Sequence, residues 1–204
     1  MLPAIVLAAG DSTRMGSPKA VLPVPGGPAF VSAIVNTLAA AAISDIVIVT
    51  GRDHERVVEA LHRDALTLVP RVVRNPDPGR GQLSSLWAGM DAVVSPSAEA
   101  IMMTLVDVPL VAPSTVRRVI EEWRRTRAPI VRPARGGRHG HPVIFDRVLF
   151  DELRQAPLDA GAKVVVRAHA SAIIDVEVDD EGSLTDIDTP GDYAALRRTG
   201  GLAP

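Results

Sequence analysis

The chain begins with a run that leaves few options for its fold: AIVLAAGDSTRMGSPKAVLP. The apolar stretch from Ala4 to Ala9 stops at Gly10, and a polar loop follows with a second glycine at Gly16, then Pro18 and Lys19. So short an apolar run, closed by glycine, fits a buried strand. It breaks into a Gly-rich loop with one arginine and one lysine. Such a loop lets successive backbone N–H groups converge on an anion while the cations neutralise it. The commoner cradles do not match. A dinucleotide fold wants G-x-G-x-x-G, whereas Gly10 and Gly16 have five residues between them. A Walker A loop wants Gly-Lys-Ser/Thr, whereas Gly16 is followed by Ser17-Pro18-Lys19. The residues alone leave two readings open, a phosphate cradle and an ordinary βα loop.

Further along, apolar runs alternate with amphipathic stretches. Strands are expected at Ala4–Ala8, Asp45–Thr50, Leu68–Arg74, Ala100–Val106, Pro129–Pro133, Pro142–Phe145 and Ile173–Val178, most of them bounded by Gly, Pro, Asn or Asp. Helical spacing links Phe30, Ile34 and Leu38, then Leu83, Leu86, Trp87 and Met90, then Val116, Ile120 and Trp123, with Ser114 as the expected N-cap of the last. Alternating β and α implies a single α/β domain over residues 1–204, a three-layer α/β/α arrangement on a mixed, mostly parallel, Rossmann-like sheet. Gly136–Gly140 reads as the most mobile loop, and the residues after Gly200 as a fraying tail.

Composition excludes several functions. A net charge of −2 gives no general pull toward nucleic acid or acidic membranes, and 3% aromatics is too few for a base-stacking surface. Without cysteine there are no disulfides or thiolate metal sites. No apolar stretch approaches the roughly 18 residues of a membrane span, and no basic leader precedes the first strand. A cytoplasmic protein is expected, with neither nucleic acid nor membrane as a partner.

In open α/β sheets ligands sit beyond the carboxyl ends of the strands. Four suggestive segments fall there: the Gly10–Lys19 loop, Asn75-Pro76 running into Arg80–Ser85, Asp107-Val108-Pro109, and Asp186–Pro190. Asp107 follows a mostly apolar run, where a carboxylate is costly unless paired. A divalent cation would pair it, and an Asx-turn or N-cap would also explain it. Asp188 precedes Thr189-Pro190, a helix start, so it or Thr189 reads as a cap. Two carboxylates sharing one site repel by about 4 kcal/mol at 4 Å and an effective dielectric near 20, and a dication removes that cost. Mg²⁺ takes one or two carboxylates plus phosphates and water. Gly81–Ser85 opens a helix whose free N–H groups suit a sugar or base edge, with capping by Ser84 as the alternative. Arg132, Arg135 and Arg138 are either phosphate ligands or a solvated rim. His139 and His141, two apart on a glycine loop, make a poor metal pair.

The opening segment resembles the nucleotidyltransferases with a glycosyltransferase-A-like fold, whose signature LAAG-x-S-x-R-M-G-x-x-K is matched at Leu7, Ala8, Ala9, Gly10, Ser12, Arg14, Met15, Gly16 and Lys19. Asp107-Val108-Pro109 is similar to that superfamily's Asp-x-Pro, with Val106 where many relatives have Gly. The Asp186-Ile187-Asp188-Thr189-Pro190 and Gly140-His141-Pro142 strings resemble those of the molybdenum cofactor nucleotidyltransferases. Leu158–Lys163 is similar to a G-D-x-G-A-R turn of that family, with Leu158 for Gly and Lys163 for Arg. The resemblance runs from Leu7 to Tyr193 with the motifs in order.

It implies a Mg²⁺-dependent transfer of a nucleotidyl group from a nucleoside triphosphate to a phosphorylated acceptor, with pyrophosphate leaving. The nucleotide would be held by Leu7, Ala8, Ala9, Gly10, Ser12, Arg14, Gly16, Lys19, Asn75, Gly81 and Gln82. Arg14, Lys19 and Asp107 would be catalytic, Asp107 and Asp188 the metal ligands, and Asp186 a supporting residue. His141 would face the acceptor, with Arg138 on its phosphate. Ala9 and the Gly-His-Pro string favour CTP and molybdopterin cofactor as the substrates. The competing expectations are GTP, another phosphorylated metabolite, or a non-catalytic maturation chaperone. A transient contact with a molybdoenzyme is implied as well.

Overall fold

The computed structural model describes residues 1–11, 15–93 and 97–200. The expected phosphate-loop residues Ser12 and Arg14, and the tail from 201 onward, lie outside the described residues.

The elements follow the expected alternation. In chain order they are β1 (Ala4–Ala8), α1 (Phe30–Ala40), β2 (Ile46–Thr50), α2 (His54–Arg63), β3 (Arg71–Arg74), α3 (Gln82–Val93), β4 (Ala100–Leu105) and α4 (Pro113–Thr126). The second half comprises β5 (Ile130–Arg135), β6 (Arg138–His139), β7 (Val143–Asp146), α5 (Phe150–Gln155), α6 (Lys163–Ala168), β8 (Ile173–Glu177) and α7 (Pro190–Gly200). One sheet joins the strands in the order β3-β2-β1-β4-β7-β5-β6, with β8 also paired to β5. β1 is parallel to β2 and β4, β2 to β3, and β5 to β8. β7 runs antiparallel between β4 and β5, so the sheet is mixed and mostly parallel.

The central strands are apolar throughout because both faces are covered. Along β1, Ala4, Val6 and Ala8 pack with Val31, Ile34 and Leu38 of α1, Val57 of α2 and Trp123 of α4. Ile5 and Leu7 point the other way, to Leu83, Leu86 and Met90 of α3, Leu153 of α5 and Val165 of α6. These are the three layers expected. Each fully buried Leu or Ile contributes about 1.5–3 kcal/mol. α3 comes close to the sheet at Gly89, where a Cβ would lie 2.4 Å from Ile5 Cγ2.

Three local expectations need correction. Gly136–Gly140 does not form a long mobile loop. Gly136 (φ +56°) and Gly137 (φ +80°) make a two-residue turn between β5 and β6, as a hairpin with positive φ at both central positions requires. Ser114 is not the cap of α4. Ala112 takes that position, Pro113 occupies the first turn, and the carboxylate of Asp180 accepts from Ala112 N–H (2.9 Å) and the Thr115 hydroxyl (2.6 Å). Ser84 does not cap α3. It lies within the helix, and its hydroxyl donates to the Gly81 carbonyl at 2.7 Å.

The start of α7 is fixed by Thr189 and Asp192. Thr189 Oγ1 donates to Asp192 Oδ2 (2.8 Å) and accepts from Asp192 N–H (3.2 Å), the reciprocal arrangement that closes a helix start. The helix then docks through the Phe30–Tyr193 edge contact, with ring centroids 5.9 Å apart.

Candidate active site

At the carboxyl ends of β1 and β4 a cleft of about 330 Å³ opens. Its floor is Leu7, Ala8, Ala9 and Gly10, leaving β1. Lys19, Gly81, Gln82, Asp107 and Asp188 complete the lining. Nine of the expected site residues therefore share one cleft, although they come from four separate segments.

Local geometry explains how they meet. Gly51 follows β2 and comes so close to the end of β1 that a Cβ there would lie 2.6 Å from the Ala9 carbonyl oxygen. Only hydrogen fits, so this contact sets the height of the loop. Gly81 has φ +97°, open to glycine alone, and turns the chain into α3. Beside it, the Leu158 carbonyl lies 3.6 Å from where a Gly81 Cβ would stand, which places the Leu158–Lys163 turn next to this wall. The segment carrying Asp188 is tied to the segment carrying Asp107 by Ile187 N–H donating to the Asp107 carbonyl at 2.8 Å.

Asp188 does not cap α7, because Thr189 and Asp192 do. Asp192 Oδ2 also accepts from the backbone N–H groups of Asp188 (3.1 Å) and Thr189 (2.7 Å). The Asp188 side chain is thereby left for the cleft. Lys19, with a side chain only 10% exposed, stands between the two carboxylates. Its Nζ is bonded to Asp188 Oδ1 and lies 3.5 Å from Asp107 Oδ2.

The electrostatics are acidic. Burial pushes Asp107 above the usual carboxylate range; Lys19 opposes this, and Asp186 and Asp188 add to it. Burial likewise raises Asp186, helped by Asp188. Burial lowers His141, against the pull of Asp107 and of a hydrogen bond to the Met103 backbone, so its imidazole is neutral at physiological pH. Two buried polar atoms in this neighbourhood have no hydrogen-bond partner among the described residues: Asp107 Oδ1 and His141 Nδ1.

Other expected residues stand away from the cleft wall. Asn75 is buried, and its amide donates to Ser84 Oγ (2.8 Å) and Ser85 Oγ (3.0 Å) while its oxygen accepts from Asp77 N–H. Its polar atoms hold the loop before α3. Gly16 takes φ +65° outside the cleft lining. Arg138 pairs with Glu181 (2.9 Å) and donates to the Leu184 carbonyl (3.1 Å), and Arg132 pairs with Asp175 (2.7 Å). The basic rim is thus matched by acids of the last third of the chain.

Asp11 and Ser85, from two of the expected segments, also line the cleft, as does Asp53, unanticipated from the sequence. Asp53 follows β2 at the same carboxyl edge, and the strand-end rule that singled out the other segments applies to it equally.

Among the described residues no helix is long and apolar enough to cross a membrane. No group of three His, Cys, Asp or Glu side chains among them is arranged to hold a metal unaided.

Comparison with known proteins agrees with this geometry. The chain is 28% identical over 196 residues to the molybdenum cofactor cytidylyltransferase of Escherichia coli (strain K12), covering 95% of this chain and 94% of that protein. It is 28% identical over 197 residues to a probable molybdenum cofactor guanylyltransferase of Mycolicibacterium paratuberculosis (strain ATCC BAA-968 / K-10), covering 96% and 94%. Among solved structures, the manganese complex of Rv0371c from Mycobacterium tuberculosis H37Rv superposes with a TM-score of 0.73 at 27% identity over 97% of each chain. Residues 4–173 match the model of the MobA-like NTP transferase domain. The chain belongs to the MobA-like NTP transferase family, and is a nucleotidyltransferase.

Proposed function

We propose that this nucleotidyltransferase moves CMP from CTP to a molybdopterin-type molybdenum cofactor and releases pyrophosphate. The observation that carries the reading is the convergence of Lys19, Asp107 and Asp188 at the end of the β1 cleft. In this reading the backbone from Ala8 to Gly10 receives the triphosphate, and Lys19, with Arg14, balances charge on the departing phosphates. Gly81 and Gln82 bind ribose and base from the start of α3, with Asn75 holding that segment in place. Ala9 favours CTP over GTP, and the Gly140-His141-Pro142 and Asp186–Pro190 strings favour molybdopterin over a sugar phosphate. The two relatives, one cytidylyl and one guanylyl, stand at equal identity and do not separate the nucleotides.

The donor set fits Mg²⁺. Asp107 presents a buried, unpartnered oxygen, and two carboxylates leave the remaining positions to phosphates and water, as this ion prefers. Asp107 and Asp188 would hold it, and once bound it would supply positive charge to the α-phosphate and the attacking oxygen. The protein's own task is positioning: it needs no side-chain nucleophile. His141 and Arg138 border Asp107 and Asp186 and would meet the acceptor's phosphate.

The test is a titration of the four nucleoside triphosphates with Mg²⁺, followed by pyrophosphate release on molybdopterin cofactor. CTP binding with cofactor-dependent pyrophosphate release is expected. Preference for GTP would reassign the nucleotide, and turnover on a different phosphorylated metabolite would reassign the acceptor. Tight binding without any turnover would return the chain to a maturation chaperone.

A further inference from the structure

Lys19 does not wait at the phosphate end of the cleft. Its ammonium is bonded to Asp188 and lies 3.5 Å from Asp107, the two carboxylates assigned to the metal. Three carboxylates, Asp107, Asp186 and Asp188, influence one another here. The neighbouring Arg138 is paired with Glu181. Lys19 is thus a cation bonded between the two carboxylates assigned to the metal.

A dication held by both carboxylates would repel an ammonium bonded to the same pair. We infer that Lys19 is a resident counter-cation that holds Asp107 and Asp188 until a divalent ion displaces it, and that the displaced ammonium then supplies the triphosphate subsite. This rests on the assignment of Asp107 and Asp188 to the metal. The exchange is local. Lys19 belongs to the one-turn helix Lys19–Val21 and lines the same cleft as Gly10, so its flexible four-carbon stem can carry the charge along the wall. Metal arrival would thereby create the positive site the triphosphate needs. Metal and nucleotide would bind cooperatively because one side chain cannot serve both places.

The chain makes this directly measurable. Its other lysine, Lys163, is exposed at the start of α6 and serves as an internal reference. The nucleotide-free protein is labelled with a small amine-acylating reagent, with and without Mn²⁺, and each lysine is read by mass spectrometry. Lys19 should label at least about tenfold more slowly than Lys163 without metal. Saturating Mn²⁺ should accelerate Lys19 labelling by roughly fivefold or more and leave Lys163 unchanged. Calorimetry with Mn²⁺ alone should show Lys19→Gln binding about tenfold more tightly than the parent, and Lys19→Arg no more tightly.

Mn²⁺ that binds while Lys19 labelling stays constant or slows overturns the displacement. Equal Mn²⁺ affinity in the parent and Lys19→Gln overturns it too, and leaves the metal assignment standing. Mn²⁺ binding indifferent to Asp107→Asn defeats that assignment and the displacement together. The labelling arm needs no variant, so it decides the matter even if Lys19→Gln fails to fold.

Discussion

Gly51→Ala tests whether the height of the phosphate loop is set from the neighbouring strand. The added Cβ would lie 2.6 Å from the Ala9 carbonyl oxygen and 3.3 Å from Ala9 C and Cα, all backbone. No side chain can rotate out of the way. To reach an ordinary 3.4 Å contact the oxygen must retreat by about 0.8 Å, and it takes Gly10 with it. A misplacement of ~1 Å in a positioning element costs ~10²-fold, so kcat/KM should fall by about 10- to 100-fold, or ~1.4–2.7 kcal/mol of transition-state binding. Overpacking should also cost ~1–3 kcal/mol of stability. For a chain of this size that is a Tm loss of roughly 2–12 °C. The assays are calorimetric titration of nucleotide, pyrophosphate-release kinetics and a thermal melt. Gly10→Ala is the control, since a Cβ there meets nothing within 4 Å and should leave Tm unchanged. Nucleotide affinity and turnover of Gly51→Ala within about twofold of the parent would refute the argument.

Asp107→Asn should abolish turnover and leave the fold intact. Burial raises the Asp107 carboxyl, so its ionised form opposes folding: the parent should gain stability as the pH falls from neutrality through the raised value toward 3.8, and the Asn variant should lack that gain in melts run without metal. Asp180→Ala removes the acceptor for Ala112 N–H, the Thr115 hydroxyl and Gly182 N–H, and should cost ~2–4 kcal/mol in urea unfolding; a loss below ~0.5 kcal/mol would mean water replaces it. Asp192→Ala frees the backbone of Asp188 and Thr189, and should weaken Mn²⁺ binding several-fold and cost ~0.5–2 kcal/mol of stability, as loss of a helix cap does; unchanged metal affinity would show that Asp188 needs no such support.

Much of the first half was legible because its signals are local. β1 falls on the expected residues, and β2 and β4 differ by one residue at an end. Continuous apolar runs closed by glycine or a polar residue leave little choice. β3 began later than expected, at Arg71 rather than Leu68, because Thr67 turns aside to bond the Asn36 side chain. The Gly136–Gly137 turn and Ser84 were missed over local geometry, whereas other contacts were hidden by a partner distant in the chain. Nothing near Ser114 announces that Asp180 reaches Ala112. The carboxamide of Asn75 suggests base recognition until Ser84 and Ser85 are seen to absorb it. Gly51 looks like any glycine after a strand until Ala9 is placed against it. Asp107, Asp188 and Lys19 were found from short motifs, but their mutual bonding needed the fold.

The reversed strand β7 has a consequence for how such a protein can diversify. The strands of residues 4–105 run parallel, and their loops supply most of the cleft lining, whereas within the sheet β5, β6 and β8 are joined to that run through β7. Swapping or lengthening the β5–β6 turn leaves the parallel half closed, provided the segments carrying Leu158 and Asp188 are kept. For the protein engineer, the seam between β4 and β7, with Ala100 opposite Asp146, is the natural place to graft the second half of a relative.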